Sequence, residues 1–247
     1  MTITDELLST LKDDFPLRSV LVGVHWTAVC SRGCGLASTL MDNKPHGHNP
    51  VREAGRLHLK TARQLAEYAR SANLLEASIG VAALNSLLEV DERGAIEVNA
   101  ADLLAARGQG KTVALVGHFP FIPRLSAAVG QLWVLEQYPA KGEYPPEAAA
   151  ELLPQADLAA ITGSALINHT LDGLLALCRP DALVMVLGPS TPLSPVLFEH
   201  GACLLSGVRV TDEAAVLRTV GQGANFRQVE GVRLITIAKK GIENLAL

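Results

Sequence analysis

Six short runs between Thr112 and Ala238 are apolar along their whole length: TVALVG, QLWVLE, LAAIT, ALVMVLG, CLLSG and RLITIA. Each is separated from the next by a segment with helical spacing of its apolar residues. Strands that are hydrophobic on both faces and alternate with helices belong in a parallel sheet covered on both sides. The pattern predicts a Rossmann-like, mostly parallel α/β unit over residues 108–247, of ordinary domain size. Aromatic residues are only 4% of a chain that is 49% hydrophobic, so Ala, Val and Leu must fill the core.

Residues 1–107 carry a different pattern and predict a smaller α+β unit. Leu7, Leu8, Leu11 and Phe15 repeat at helical spacing over 4–14, with Thr4 as the expected N-cap. Segments 19–29 and 33–40 read as two strands joined by the turn Ser31-Arg32-Gly33, a hairpin. A Pro/Gly/His-rich loop covers 42–55. Helices are expected over 61–71 and 74–88, the second made for close packing by Gly80, Ala82 and Ala83. Asn99 and Asp102 have capping spacing for a short further helix.

The site is expected in the stretch 161–195. In an open α/β sheet, ligands bind beyond the carboxyl ends of the strands, where helix N-termini also point. Two apolar runs in this stretch end in small polar residues. One is followed by Thr162-Gly163-Ser164 and Asn168-His169-Thr170, the other by Gly188-Pro189-Ser190-Thr191. Both tails fit one polar crevice. His169 supplies a titratable imidazole suited to a general base, and Ser164 a possible nucleophile, although no G-x-S-x-G elbow surrounds it. Asn168 and Thr170 orient substrate or cap the next helix. The prolines of the second tail stiffen a loop whose hydroxyls could meet an anion. Gly117 and His118 end the first strand of the unit. Glu136 ends the next, where nucleotide-binding sheets place a ribose-binding carboxylate. Asn85, polar amid AALNSLL, could face the same cleft.

Several classes are disfavoured. Gly110-Lys111-Thr112 precedes a strand instead of following one, and Ala105 stands where a phosphate loop needs its first glycine. One glycine at 117 is too few for a dinucleotide fingerprint, so no dinucleotide is expected. The same missing loop counts against an S-adenosylmethionine-dependent methyltransferase. A net charge of −4 without a basic run argues against nucleic acid. No apolar run reaches the roughly eighteen residues that a membrane span needs, and the acidic start is unlike a secretory signal. A cytoplasmic protein is expected, and its apolar composition suggests a homodimer. Cys30, Cys34, Cys178 and Cys203 do not form an evident disulfide framework. With His25, His46 and His48, the first two are the residues available for direct metal sequestration, though their spacing is not that of a preformed zinc site.

Four segments together resemble the putative heavy-metal chelation family. They are SIGVAALNSLL (78–88), VGHFPF (116–121), residues 135–175 with TGSALINHT, and residues 187–212 with GPSTP. Ser86 and Ser164 stand where Ala and Thr would be expected in that family. The resemblance implies an N-terminal unit similar to the enolase N-terminal fold, followed by the Rossmann-like unit with the site between them. It also implies a small-molecule ligand able to chelate a divalent metal, either pterin-, flavin- or siderophore-like, that is condensed or hydrolysed there.

Overall fold

A computed structural model describes residues 1–42 and 50–242. The chain begins with α1 (Ile3–Ser9), whose N-cap is Thr2 and not Thr4. The Thr2 hydroxyl accepts the Asp5 amide, and the Asp5 carboxylate accepts the Thr2 amide, a reciprocal box that starts the helix two residues early. Leu11 is buried beyond the end of the helix.

The expected long strand over 19–29 is two strands, β1 (Ser19–Val22) and β2 (Trp26–Cys30), which pair antiparallel. Between them the chain doubles back at Gly23, and a Cβ there would lie 2.6 Å from the Val220 carbonyl oxygen. The next turn is as expected, and β3 (Cys34–Ser38) completes a three-stranded antiparallel sheet. Cys30 and Cys34 face each other across that turn and are joined by a disulfide. This corrects the expectation of unpaired thiols: the Ser-Arg-Gly turn opposes the two cysteines instead of separating them.

Two helices cover the small sheet. α2 (Ala62–Ala66) tightens to a 3₁₀ turn over Glu67–Arg70, and α3 (Leu74–Leu87) follows from its cap Asn73. α3 is apolar almost all round because it is enclosed on several sides. Its small residues allow contact at backbone distance. A Cβ on Gly35 of β3 would overlap the Ala82 carbonyl oxygen, and one on Gly80 would overlap the Ala69 nitrogen.

α4 (Ala100–Arg107) is capped by Asn99, while Asp102 pairs with Arg124 instead of closing a capping box. Then come β4 (Thr112–Val116), α5 (Ile122–Ala128), β5 (Gln131–Leu135), α6 (Ala149–Leu152) and β6 (Leu158–Thr162). They are followed by α7 (Leu171–Leu177), β7 (Leu183–Leu187), α8 (Val196–Glu199), β8 (Leu204–Val210), α9 (Glu213–Gly221) and β9 (Val232–Ala238). The sheet order is β5-β4-β6-β7-β8-β9, and all neighbours are parallel except the antiparallel pair β8–β9. The buried residues of β4, β6 and β7 are Val, Leu, Ile, Ala and Met, and β8 continues them with Leu204 and Leu205, as a sheet covered on both faces requires.

Both sheets share one apolar core. Leu7 of α1, Ala82 and Leu84 of α3, Ile161 of β6 and Leu197 of α8 belong to the same contiguous cluster. The Asp172 carboxylate also accepts the Ile3 amide at 2.8 Å, tying the N-terminus to the larger sheet. Among the described residues no helix is long and apolar enough to cross a membrane.

Candidate functional site

The strand order reverses between β4 and β6. β5, which follows β4, lies on one side of it, and the chain then crosses to place β6 on the other. The helices that follow β4 and β6 therefore leave in opposite directions, and a crevice opens at the strand tips. At the β4 tip Gly117 takes φ +107°, which favours glycine. A Cβ there would also press on the Thr162 side chain at 3.1 Å. The two tips thus meet, and an open crevice of about 1860 Å³ lies beyond them.

Of the residues expected from the sequence, the crevice is lined by Gly117, His118, Glu136, Thr162, Ser164, Asn168, His169, Thr170, Gly188, Pro189 and Ser190. Gly163, Thr191 and Asn85 sit behind its wall. Gly163 lets the two tails touch, since a Cβ there would fall 2.6 Å from the Thr191 amide nitrogen. Thr191 closes a turn onto the Gly188 carbonyl at 3.0 Å, and its buried hydroxyl has no partner. Asn85 donates from Nδ2 to the carbonyls of Leu36 (3.0 Å) and Ser190 (3.3 Å), clipping the 188–191 turn to β3 and α3. Ser190 is buried, and its hydroxyl accepts the Ser38 amide at 2.8 Å. These bonds hold the second tail as a rigid wall.

Polar groups of the first tail remain at the surface of the crevice. The Thr162 and Ser164 hydroxyls bond each other at 2.7 Å. No hydrogen bond joins Ser164 to His169 among the described residues. Asn168 Oδ1 accepts from the Thr170 hydroxyl and amide, so Thr170 does not cap α7 with its side chain. His169 holds φ +60°, a strained setting for a non-glycine residue. Its Nε2 lies 2.8 Å from the Ser71 carbonyl oxygen, which can only accept. In the neutral ring the proton therefore sits on Nε2 and the lone pair on Nδ1.

Ser71 is not visible as a site residue in sequence. Its carbonyl holds His169, and its hydroxyl donates to the buried Glu76 at 2.6 Å. Glu76 also accepts from the Arg52 amide at 2.7 Å and from the Arg52 guanidinium. Burial alone would raise the Glu76 carboxyl. The hydrogen bonds from Arg52 and Ser71 outweigh it and hold the group below the ordinary value of 4.5. A depressed folded-state value means stability present at neutral pH and lost as pH falls through that lower value. Glu76→Gln should cost about 2 kcal/mol at pH 7, the scale of hydrogen bonds to a charged group. The gap between the two proteins should narrow below pH 4.5. Urea titrations of both at pH 7 and pH 3.5 check this, and a gap that does not change with pH would contradict it.

Other crevice residues also escape the sequence reading. Ser206 and Thr236, opposed on β8 and β9, bond hydroxyl to hydroxyl at 2.7 Å and line it. Phe119 and Phe121 stack at 5.1 Å along its side. Arg227 lies at the rim, exposed, and its guanidinium forms no ion pair among the described residues. Phe119 and Phe121 follow the β4 tip directly, whereas only the β8–β9 register and the return of the chain at 226–228 bring Ser206, Thr236 and Arg227 to the crevice.

Among the described residues no group of three or more His, Cys, Asp or Glu is placed to hold a metal ion. Of the set available for direct sequestration, Cys30 and Cys34 are disulfide-bonded, His25 is exposed, and His46 and His48 lie outside the described residues.

Two family models, both described as putative heavy-metal chelation, match residues 4–88 and 99–239. A crystal structure of a protein with unknown function from Desulfitobacterium hafniense, of the DUF364 family, is 32% identical. The match covers 96% of this chain and 98% of that one at a TM-score of 0.84. A second DUF364 protein with unknown function, from Pyrococcus horikoshii, shares the fold at 23% identity and a TM-score of 0.81, over 96% and 98% of the two chains. An uncharacterized protein of Methanocaldococcus jannaschii is 27% identical over 224 residues, 83% of each chain.

Proposed function

We propose that the crevice of this chain, which belongs to the putative heavy-metal chelation family, binds an anionic, ring-bearing small molecule able to chelate metal. The observation that carries this reading is the reversal of strand order at Gly117 and Thr162, which puts the crevice where open α/β sheets take ligands. The lining suits such a molecule. Phe119 and Phe121 offer aromatic surface, Arg227 a cation for an acidic group, and Thr162, Ser164, Asn168 and Glu136 the donors and acceptors of a heteroatom-rich ring. A crevice larger than the ~300–1,000 Å³ of ordinary ligand sites has space for a second reactant. In the reaction we propose, condensation or hydrolysis, His169 Nδ1 removes a proton from the attacking group. The protein is proposed to work in the cytoplasm as a homodimer.

The reading is tested by thermal unfolding with pterins, flavins, nucleosides and siderophore fragments, one at a time. A ligand at a hundred times its Kd stabilises by about 2.7 kcal/mol, a shift of several degrees. At least one anionic, ring-bearing compound is expected to give it. If none does at millimolar concentration, the crevice is not the site of such a molecule.

A further inference from the structure

His118 is poised in a way that none of the steps above uses. It follows Gly117 at the tip of β4, lines the crevice, and is 63% exposed. Its Nδ1 lies 3.2 Å from Oε1 of Glu143, a carboxylate only 12% exposed. The other carboxylate oxygen accepts the Ala140 amide at 2.8 Å, and the Glu143 amide returns a bond to the Ala140 carbonyl at 3.0 Å. This carboxylate, fixed by its own turn, lies beside Nδ1 and favours the neutral tautomer that carries its proton there. In that tautomer Nε2 carries the lone pair, and it has no partner among the described residues. An imidazole that leans one nitrogen on a carboxylate and offers the other is the arrangement of metal-ligating histidines, in which the carboxylate sets the tautomer and the basicity.

One such imidazole does not make a resident metal site, and no cluster of three protein donors accompanies it among the described residues. The remaining donors have to arrive with the metal. Phe119 and Phe121 lie directly after His118 and present aromatic surface to the crevice, which suits a flat chelate. Imidazole nitrogen suits zinc, nickel and copper, whereas magnesium and calcium prefer oxygen. We propose that the crevice takes a divalent transition metal already held by a planar anionic chelator, and that His118 Nε2 displaces one water from that metal. This rests on the crevice reading above and adds to it that the loaded chelate, in preference to the bare metal or the free chelator, is the ligand.

The test uses the whole chain and three probes, measured by calorimetry: cupric ion, dipicolinate and their one-to-one complex. Dipicolinate is a flat tridentate anion that leaves copper an open in-plane position for one more nitrogen. The complex should bind at least about tenfold more tightly than dipicolinate alone or copper alone, and its paramagnetic resonance spectrum should gain the coupling of one further nitrogen. Glu143→Gln should weaken the complex roughly 10- to 100-fold, as loss of such supporting carboxylates does, and retain the coupling. His118→Ala, at an exposed position, should keep its melting temperature, lose the coupling, and bind the complex no better than free dipicolinate.

Equal binding of loaded and free chelator, or coupling that persists in His118→Ala, overturns the role of His118 and leaves the crevice reading intact. Copper alone binding as tightly as the complex overturns the preference for a chelate. If the complex fails to bind while a compound of the ring-bearing panel succeeds, the metal proposal alone falls. If both fail, the crevice reading falls with it.

Discussion

Replacing Gly80 with alanine is expected to destabilise the protein by about 3 kcal/mol, the upper range of overpacking a closed core. Helix propensity argues the other way, since alanine in a helix interior is favoured over glycine by roughly 1 kcal/mol. Space decides the sign. The added methyl carbon would overlap the Ala69 nitrogen and the Tyr68 carbonyl carbon, and would come within 2.6 Å of the Ala69 Cα. All three are backbone atoms of the 3₁₀ turn, so no side-chain rotation relieves the clash. α3 cannot back away, because on its other side Gly35 of β3 already sits against the Ala82 carbonyl oxygen and 2.8 Å, measured from an added Cβ, from the Asn85 carbonyl carbon. Gly173→Ala in α7 is the control. Nothing lies within 4 Å of a Cβ there, so propensity should act alone and stabilise by up to about 1 kcal/mol. Urea midpoints of the two variants should move in opposite directions with unchanged slope. A Gly80→Ala protein as stable as the parent would show that α3 is not wedged between the 3₁₀ turn and β3.

The same close contacts separate what could be inferred from the residues from what could not. Continuous apolar runs such as LAAIT and ALVMVLG have few uses other than central parallel strands, and β6 and β7 are such strands. The polar tails after them were legible because a buried strand must end where small polar residues begin. Strand order was not legible, since no local residue states whether β5 or β6 lies beside β4, and it is this order that joins Gly117 to Thr162. Gly23 resembled any strand glycine, yet its amide closes a tight turn on the Trp26 carbonyl at 2.9 Å, and Val220 of α9 packs too close to leave room for a side chain there, which splits 19–29 into β1 and β2. The contacts that orient each imidazole come from distant chain. Ser71 reaches His169 across 98 positions, and Glu143 reaches His118 from the far side of β5. Pattern and spacing identify titratable groups, but the tertiary fold chooses which nitrogen of each is left to act.

In the reaction proposed for the crevice, His169→Ala and His169→Asn are expected to lower turnover by about 10²–10⁴-fold, the usual contribution of a positioned general base, with little change in melting temperature. The pair matters because His169 has a structural contact as well as a free nitrogen. Its Nε2 bonds the Ser71 carbonyl, bridging the loop after β6 to the start of α3. Alanine removes that bridge and the base together. Asparagine tolerates the left-handed backbone at φ +60°, and its amide can still donate to a nearby carbonyl, but it offers no base in the neutral range. Were the imidazole only a hook onto Ser71, asparagine would restore what alanine loses. As the base, it leaves both variants equally inactive, and both still bind the ligand, because Thr162, Ser164 and Arg227 are untouched. The stability cost stays small because the side chain is exposed and its bond to Ser71 can be replaced by water. Restored turnover in His169→Asn, or a melting temperature lowered by ten degrees or more in both variants, would move His169 from the chemistry to the scaffold.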